Sequence, residues 1–189
     1  MTGEYNNSEN LLSPEQGAAG SPAPRKLLIG IGNPDREDDG VAWVLMDHLA
    51  ARLDPGGTGL RDESERVFED GRLHLLFDLQ IMPEMAELIA GFDQVCFVDA
   101  HTGSQPEDLY CLELQPQFQT SPLTHHMTPE TCLFLVDSLF GRQPQAWLMA
   151  VRGFSFNFTR SLSPRTEALA RQAEEMLWDW LHDRPVKAR

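Results

Sequence analysis

The sequence has few cysteines, few basic residues and no long hydrophobic run. Its 189 residues include 3 cysteines, none in a CxxC pair. An odd number of cysteines without that spacing argues against a disulfide framework and against a cysteine-based zinc site. Cys96 and Cys132 lie in apolar runs, so we expect buried free thiols and a cytoplasmic protein.

Positive charge is scarce. The chain carries 15 Lys and Arg against 29 Asp and Glu, a formal net charge of −14. Such an acidic chain repels phosphates, which argues against nucleic acid and anionic membranes as partners. No segment is apolar enough to span a bilayer, and residues 1–24 lack the basic start and apolar core of a secretory signal. We expect a monomer without membrane or nucleic-acid partners.

Familiar hydrolase motifs are also missing. The sequence contains no HExxH, no GxSxG and no Cys–His pair with an evident orienting acid. These absences argue against the standard metalloprotease, serine-hydrolase and cysteine-protease chemistries.

The length fits one domain with a substantial core. Residues 1–24 are rich in Ser, Asn, Gly and Pro, which predicts a disordered N-terminal extension. The predicted domain covers residues 25–183, and residues 184–189 form a C-terminal tail.

Strands and helices alternate along the predicted domain. This order indicates an α/β fold, a three-layer α/β/α sandwich around a mostly parallel sheet with right-handed crossovers. Segment 66–80 fits one or two short strands, with 73–78 the stronger. The other predicted elements are strands at 26–31, 94–100, 109–114 and 146–151, and helices after Asp38 and at 82–91, 128–140 and 164–181.

The first predicted strand leads into a strongly acidic loop. Carboxyl ends of strands are where α/β sheets build their sites. The loop lacks the third glycine of GxGxxG, and its acids would repel a phosphate, so a dinucleotide site is disfavoured. Asp38 is predicted to cap the next helix, and Asp35 and Glu37 are predicted to be solvated. Asp39 has no such role, and its carboxylate suits a divalent metal.

Four further residues stand at predicted element boundaries. Asp78 and Asp99 end predicted strands, where acids commonly bind backbone groups. Asp99 could equally orient a site loop. His125 and His126 precede a predicted helix, and a neutral imidazole is a common metal ligand, although an isolated His–His pair is more often a polar loop element.

The first loop, GIGNPDREDDG, resembles the first motif of the hydrogenase maturation endopeptidases. These enzymes remove a C-terminal peptide from the large subunit of nickel–iron hydrogenases. The resemblance covers residues 26 to about 182, and it implies a phosphorylase/hydrolase-like fold with about five strands. In that family the second acid of the motif is a metal ligand, which places the ligand at Asp39.

The remaining motifs of the family match less completely. Many members have Asp-Gly-Gly-Thr where this chain reads FDLQIMPE, although residues 80–84 are similar to a Gln-Leu-Thr-Pro-Glu subset. The second ligand is therefore Asp78 or, through its carbonyl oxygen, Gln80. The family histidine corresponds to His125, with His126 as the alternative. The resemblance thus implies Asp39, Asp78 and His125 as metal-contacting and catalytic residues.

The implied reaction is cleavage of a nickel–iron hydrogenase large-subunit precursor after nickel insertion. The acids and the histidine would contact nickel that the substrate carries, so nickel need not be the enzyme's own cofactor. Two alternatives remain. LLIGIGNP also resembles the first strand of peptidyl-tRNA hydrolase, although DREDDG then departs from that enzyme. A non-catalytic metal-sensing chaperone could keep the same ligands.

Overall fold

The computed structural model describes residues 23–56, 59–60, 63–68, 71–103, 105–118 and 127–185. The predicted disordered extension, apart from residues 23 and 24, lies outside the described residues. So do both candidate histidines, His125 and His126, and most of the predicted tail.

The described residues form six strands, four α-helices and one short 3₁₀ helix. The strands are β1 Lys26–Ile31, β2 Glu65–Phe68, β3 Leu73–Asp78, β4 Gln94–His101, β5 Leu109–Leu114 and β6 Gln145–Arg152. The α-helices are α1 Val41–Leu53, α2 Met85–Ile89, α3 Pro129–Phe140 and α4 Pro164–Leu181, and the 3₁₀ helix Glu37–Gly40 precedes α1.

The strands form one mixed sheet in the order β2-β3-β1-β4-β6-β5. The four inner strands run parallel, and β2 and β5 are antiparallel edge strands. The mostly parallel sheet is confirmed, with six strands where the resemblance implied about five. Strand β2 supplies the additional one, because it folds back on β3 as a four-residue edge strand.

The helices cover both faces of the sheet, which confirms the three-layer arrangement. Helices α1 and α4 pack with one face of the sheet into one core cluster, and α2 and α3 pack with the other face into a second. Strand β1 runs between the two clusters, and its residues Leu27, Leu28 and Ile29 are fully buried. Double-sided burial explains why β1 is a continuous apolar run and not an alternating one.

Local sequence signals set the ends of the last two helices. The Ser163 hydroxyl accepts a hydrogen bond from the Thr166 amide, and Pro164 occupies the first turn of α4, as predicted. Helix α3 begins in the same way, with Thr128 as its N-cap, and it ends at Gly141 with φ 61°. Glycine adopts that left-handed conformation without steric cost.

The predicted N-cap at the start of α1 is wrong. Helix α1 begins after Gly40, with no side-chain hydrogen bond to its first turn. Asp38 lies instead inside the 3₁₀ turn, and its carboxylate is bound to a distant loop described below.

The buried free cysteines are confirmed. Cys96, Cys111 and Cys132 are all unpaired and buried. Burial raises the pKa of Cys111 and of Cys132 to about 11, so both thiols stay protonated and unreactive near neutral pH. Of the helices described, none has the length and apolar character to cross a membrane.

Candidate functional site

The carboxyl ends of three neighbouring parallel strands meet at one edge of the sheet. Ile31, the last residue of β1, pairs with Asp78 of β3. On the other side, Gly30 pairs with Val98 of β4, so Asp99 is level with the end of β1. Asp78 and Asp99 therefore flank the strand that leads into the acidic loop 32–40, at the position where parallel sheets carry their sites.

Two glycines let loop 32–40 fold back tightly at this edge. Gly32 has φ 141°, and a Cβ atom there would lie 2.1 Å from the Asp39 carbonyl oxygen. A Cβ atom on Gly40 would lie 2.8 Å from the Pro34 Cα atom. Neither position has room for a side chain, so the glycines fix where the acidic residues stand.

Asp39 lies at the centre of the candidate site. Its Oδ2 atom accepts a hydrogen bond of 3.1 Å from the Asn33 amide, which ties the carboxylate to the start of its own loop. The Asp39 charge also acts on Asp99, so the two carboxyl groups lie within electrostatic range of each other. The fold thus brings an acid from the first loop next to an acid from the end of β4.

Asp99 is the most strongly perturbed acid of the site. Burial, with a smaller contribution from the negative charge of Asp39, raises its pKa from 3.8 to about 7. A 2.7 Å hydrogen bond from the Ala100 amide to Oδ1 opposes that rise only in part. Asp99 therefore binds a backbone group, as predicted for an acid at the end of a strand, and its role in orienting a site loop stays a prediction. A carboxyl with this pKa exchanges a proton near neutral pH.

Asp78 is the last residue of β3 and is partly buried. Its backbone oxygen accepts a 3.2 Å hydrogen bond from the Gly32 amide, and its Oδ1 atom accepts one of 2.7 Å from the Leu79 amide. Gln80 is exposed in the turn that follows the strand, and its amide nitrogen contacts the Met82 sulfur at 3.3 Å. The two candidates for the second ligand therefore lie at the end of β3 and in the next turn, beside the first loop.

The predicted triad of Asp39, Asp78 and His125 is described only in part, because His125 lies outside the described residues together with its alternative, His126. Within the described ranges, no three His, Cys, Asp or Glu side chains are grouped closely enough to hold a metal ion. Helix α3, which begins shortly after the histidines, does approach this edge. Burial raises the pKa of Tyr110, and the charges of Asp99 and of Glu130 in the first turn of α3 add to that rise.

Asp38 holds the acidic loop to the segment 153–163 that joins β6 to α4. Its fully buried carboxylate accepts hydrogen bonds from the backbone amides of Phe154, Ser155 and Ser163 at 2.7–2.9 Å and from the Ser163 hydroxyl at 2.7 Å. Burial by itself would raise the pKa of Asp38, but these hydrogen bonds outweigh it and hold the pKa below its usual value.

Glu37 binds the same segment, so the prediction of a solvated side chain is wrong for this residue. Its Oε2 atom accepts hydrogen bonds from the Ser155 hydroxyl at 2.6 Å and from the amide and side chain of Asn157 at 2.9 Å. The bond from Ser155, followed by those from Asn157, lowers the pKa of Glu37. Asp35 is exposed, as predicted, and pairs with Arg160 at 2.6 Å.

Sequence reasoning missed the segment 153–163, apart from Ser163 as a helix cap. The segment reads GFSFNFTRSLS, and a regular pattern is confined to its first half, where phenylalanine stands at every second position. It lies more than one hundred residues beyond the loop that it contacts. Its three alternating phenylalanines were the one visible signal.

Comparison with known proteins identifies the fold. No family model matches the sequence, and no curated protein matches it. The structure is similar to the hydrogenase maturating endopeptidase HybD of Escherichia coli, with a TM-score of 0.57, 19% identity and coverage of 84% of this chain and 93% of that one. This chain has the fold of the hydrogenase maturation proteases.

Other solved structures agree. The maturation protease HycI of Thermococcus kodakarensis has a TM-score of 0.55 at 19% identity, with 85% of this chain and 94% of that chain covered. An endopeptidase from Escherichia coli has a TM-score of 0.57 at 19% identity, with 87% and 96% covered. The coverage on both sides shows that the likeness extends over nearly the whole of each protease, so the predicted fold is confirmed.

Proposed function

We propose that this protein is an endopeptidase that removes the C-terminal extension of a nickel–iron hydrogenase large-subunit precursor. One observation carries the proposal: in the fold of the maturation proteases, the GIGNPDREDDG loop holds Asp39 at the carboxyl edge of the sheet, where the neighbouring strands β3 and β4 carry Asp78 and Asp99. The sequence motif and the fold thus point to the same family, although identity to the solved structures is only 19%.

The proposed site recognises nickel that the precursor carries. Asp39, Asp78 and His125 would supply two carboxylate oxygens and an imidazole nitrogen, and this donor set suits a borderline divalent cation. Gln80 and His126 are the alternatives for the second and third contacts. A metal carried by the substrate would explain how the enzyme distinguishes a loaded precursor from an empty one.

Asp99 is the proposed proton carrier of the reaction. Hydrolysis of a peptide bond needs a group that takes a proton from the attacking water and one that gives a proton to the leaving amine. The pKa of Asp99 is about 7, and the group lies within electrostatic range of Asp39. The client, the cytoplasmic location and the monomeric state belong to the same proposal.

The test uses purified full-length protein with precursor in nickel-loaded and nickel-free forms. We expect a mobility shift of the loaded precursor only, with the cut identified by mass spectrometry. Asp39→Ala should abolish the cut while its circular dichroism spectrum stays native, because loss of a loop carboxylate creates no core cavity. His125→Ala should do the same. If His125→Ala is active and His126→Ala is inactive, the metal contact is made by His126.

Other outcomes would contradict the proposal. Equal cutting of the nickel-loaded and the nickel-free precursor would show that the protein does not recognise nickel. Tight binding of the loaded precursor without any cut would favour the metal-sensing chaperone.

A further inference from the structure

One large apolar side chain stands almost entirely in solvent beside the candidate site. Phe158 is 92% exposed and lies in the segment 153–163 between β6 and α4. With Asp35, Thr159 and Arg160 it lines a shallow depression on the surface. Burial of this side chain against a partner would gain hydrophobic free energy, which makes Phe158 a candidate contact residue.

The segment that carries Phe158 is firmly fixed. Asp38 and Glu37 accept seven hydrogen bonds from it, through the bonds to residues 154, 155, 157 and 163 described above. The Glu37 amide also donates to the Thr159 oxygen at 2.7 Å, next to a bridge between Arg36 and Thr159. The backbone that carries Phe158 is therefore ordered before a partner binds, which lowers the entropic cost of docking.

A second exposed apolar side chain lies on the other side of the acidic loop. Leu79 is 61% exposed and directly follows Asp78. Asp78 is hydrogen-bonded to Gly32 at one end of the loop, while Thr159 is hydrogen-bonded to Glu37 near the other. The loop that carries Asp39 therefore lies between Leu79 and Phe158.

The loop and the strand end between the two apolar side chains contribute the carboxylates of Asp39 and Asp78, against one exposed basic residue, Arg36. The basic side chain of the neighbouring depression, Arg160, is paired with Asp35. A partner that fits this surface presents apolar patches on both sides of a positively charged centre. A protein with a bound divalent metal at the segment to be cut has that charge.

We propose that Phe158 and Leu79 form a two-point docking surface for the folded nickel-loaded precursor, with Phe158 as the principal anchor. This inference rests on the proposed function, which supplies the identity of the partner. The two contacts place the metal-bearing segment of the precursor against Asp39 and Asp78. Buried aromatic anchors commonly dominate the binding energy of a protein interface.

The experiment compares Phe158→Ala, Phe158→Trp and the control Val67→Ala with the wild-type chain. Val67 is also an exposed apolar residue, 56% exposed, but it lies on edge strand β2 opposite His74, away from the carboxyl edge. The dissociation constant for nickel-loaded precursor is measured by surface plasmon resonance, and KM and kcat are measured by precursor cleavage.

We expect Phe158→Ala to weaken binding and raise KM by at least about tenfold, the loss typical of an aromatic anchor. The value of kcat should stay within about twofold, because Phe158 contacts neither the metal nor the scissile bond. Phe158→Trp should retain binding, and Val67→Ala should match the wild type. Thermal melting should be unchanged in all three variants, since both positions are exposed.

The outcomes separate this inference from the proposed function. If the wild type cuts the precursor and Phe158→Ala binds the precursor equally well, the docking inference is wrong and the proposed protease function is supported. If the wild type binds but does not cut, the protease is overturned, and weaker binding by Phe158→Ala still supports the surface. If the wild type neither binds nor cuts, both are overturned.

Two other occupants give distinct results, and either would overturn the inference. A wild-type dimer that Phe158→Ala converts to a monomer in sedimentation would identify a second copy of this chain as the occupant. Deletion of residues 1–22 that tightens precursor binding only when Phe158 is present would identify the N-terminal segment as the occupant.

Discussion

Adjacent acids in the first loop perform opposite tasks. Successive residues of a 3₁₀ turn point about 120° apart, because the turn has three residues. Asp38 is therefore directed into the segment 153–163, where its carboxylate is fully buried and hydrogen-bonded. Asp39 is directed to the strand edge, where its charge reaches Asp99. One residue supports the loop, and the next belongs to the candidate site.

Replacement of Asp38 by alanine should destabilise the fold by about 3–5 kcal/mol. The change leaves the buried amides of Phe154, Ser155 and Ser163 without their acceptor, and each unsatisfied buried donor costs roughly 1–3 kcal/mol. Urea unfolding followed by circular dichroism measures the loss. Asp35→Ala is the control, since its carboxylate is exposed and should change stability by less than about 0.5 kcal/mol. Equal stability of the two variants would contradict the role of Asp38.

The raised pKa of Asp99 makes a pH-dependent contribution to stability. Its folded pKa of about 7 lies above the ordinary value of 3.8, so between these values the folded protein keeps a proton that the unfolded chain releases. This group therefore lowers the free energy of unfolding as pH rises from about 4 to about 7, and its effect is constant outside that window.

Asp99→Asn should remove this pH-dependent loss of stability, because an asparagine side chain has no carboxyl group to titrate. Relative to the wild type, the variant should gain roughly 1–3 kcal/mol of stability between pH 4 and pH 7, a range that allows for partial solvent screening. Urea unfolding of both proteins in a chelator across this pH range measures the difference. A stability difference that does not change with pH would mean that Asp99 is ionised in the folded protein throughout.

At the scale of elements, the candidate site consists of a regular sheet edge, the 3₁₀ turn Glu37–Gly40 and the irregular segment 153–163. Strands β1, β3 and β4 bring their carboxyl ends level. The loop after β1 then folds back at Gly32 and Gly40 and is joined to the segment before α4. Because Ser163 both binds Asp38 and caps α4, the start of that helix is coupled to the acidic loop.

Gly32→Ala should disrupt this loop. The Cβ atom would meet the Asp39 carbonyl oxygen at 2.1 Å, and φ 141° is strained for any L side chain. We expect a loss of roughly 2–4 kcal/mol in unfolding free energy and a loss of precursor cleavage, since Asp39 must move. Gly56→Ala, whose nearest heavy atom would be 3.9 Å away, is the matched control and should retain both. Retained cleavage in Gly32→Ala would show that Asp39 tolerates displacement.

For the whole molecule, two cores share one sheet, and the candidate site lies at the sheet edge between them. Helices α1 and α4 protect one face, and α2 and α3 protect the other. The site edge is thus supported from both layers.

Removal of residues 1–24 should leave the molecule nearly unchanged. Their composition cannot bury enough apolar surface to offset the entropy of ordering. Thermal unfolding and precursor cleavage should both match the full-length chain. A loss of more than about 1 kcal/mol in unfolding free energy would mean that the segment docks on the domain.

The sequence by itself determined the elements of the fold. The strands Lys26–Ile31, Leu73–Asp78 and Leu109–Leu114 and the helix Pro164–Leu181 have their predicted bounds, because apolar runs, caps and prolines act within a few residues. The first motif likewise pointed to Asp39. Local patterning therefore predicted most of the architecture, and the role of Asp39 stays a prediction.

Only the tertiary structure decided what the other acids do. Asp38 and Glu37 find their partners more than one hundred residues away, and Asp99 owes its raised pKa to burial and to the charge of Asp39 in another loop. Strand β2 forms because β3 offers it an edge. Hydrogen-bond partners, burial and charge proximity depend on which distant segments the fold brings together, and local sequence patterns do not carry that information.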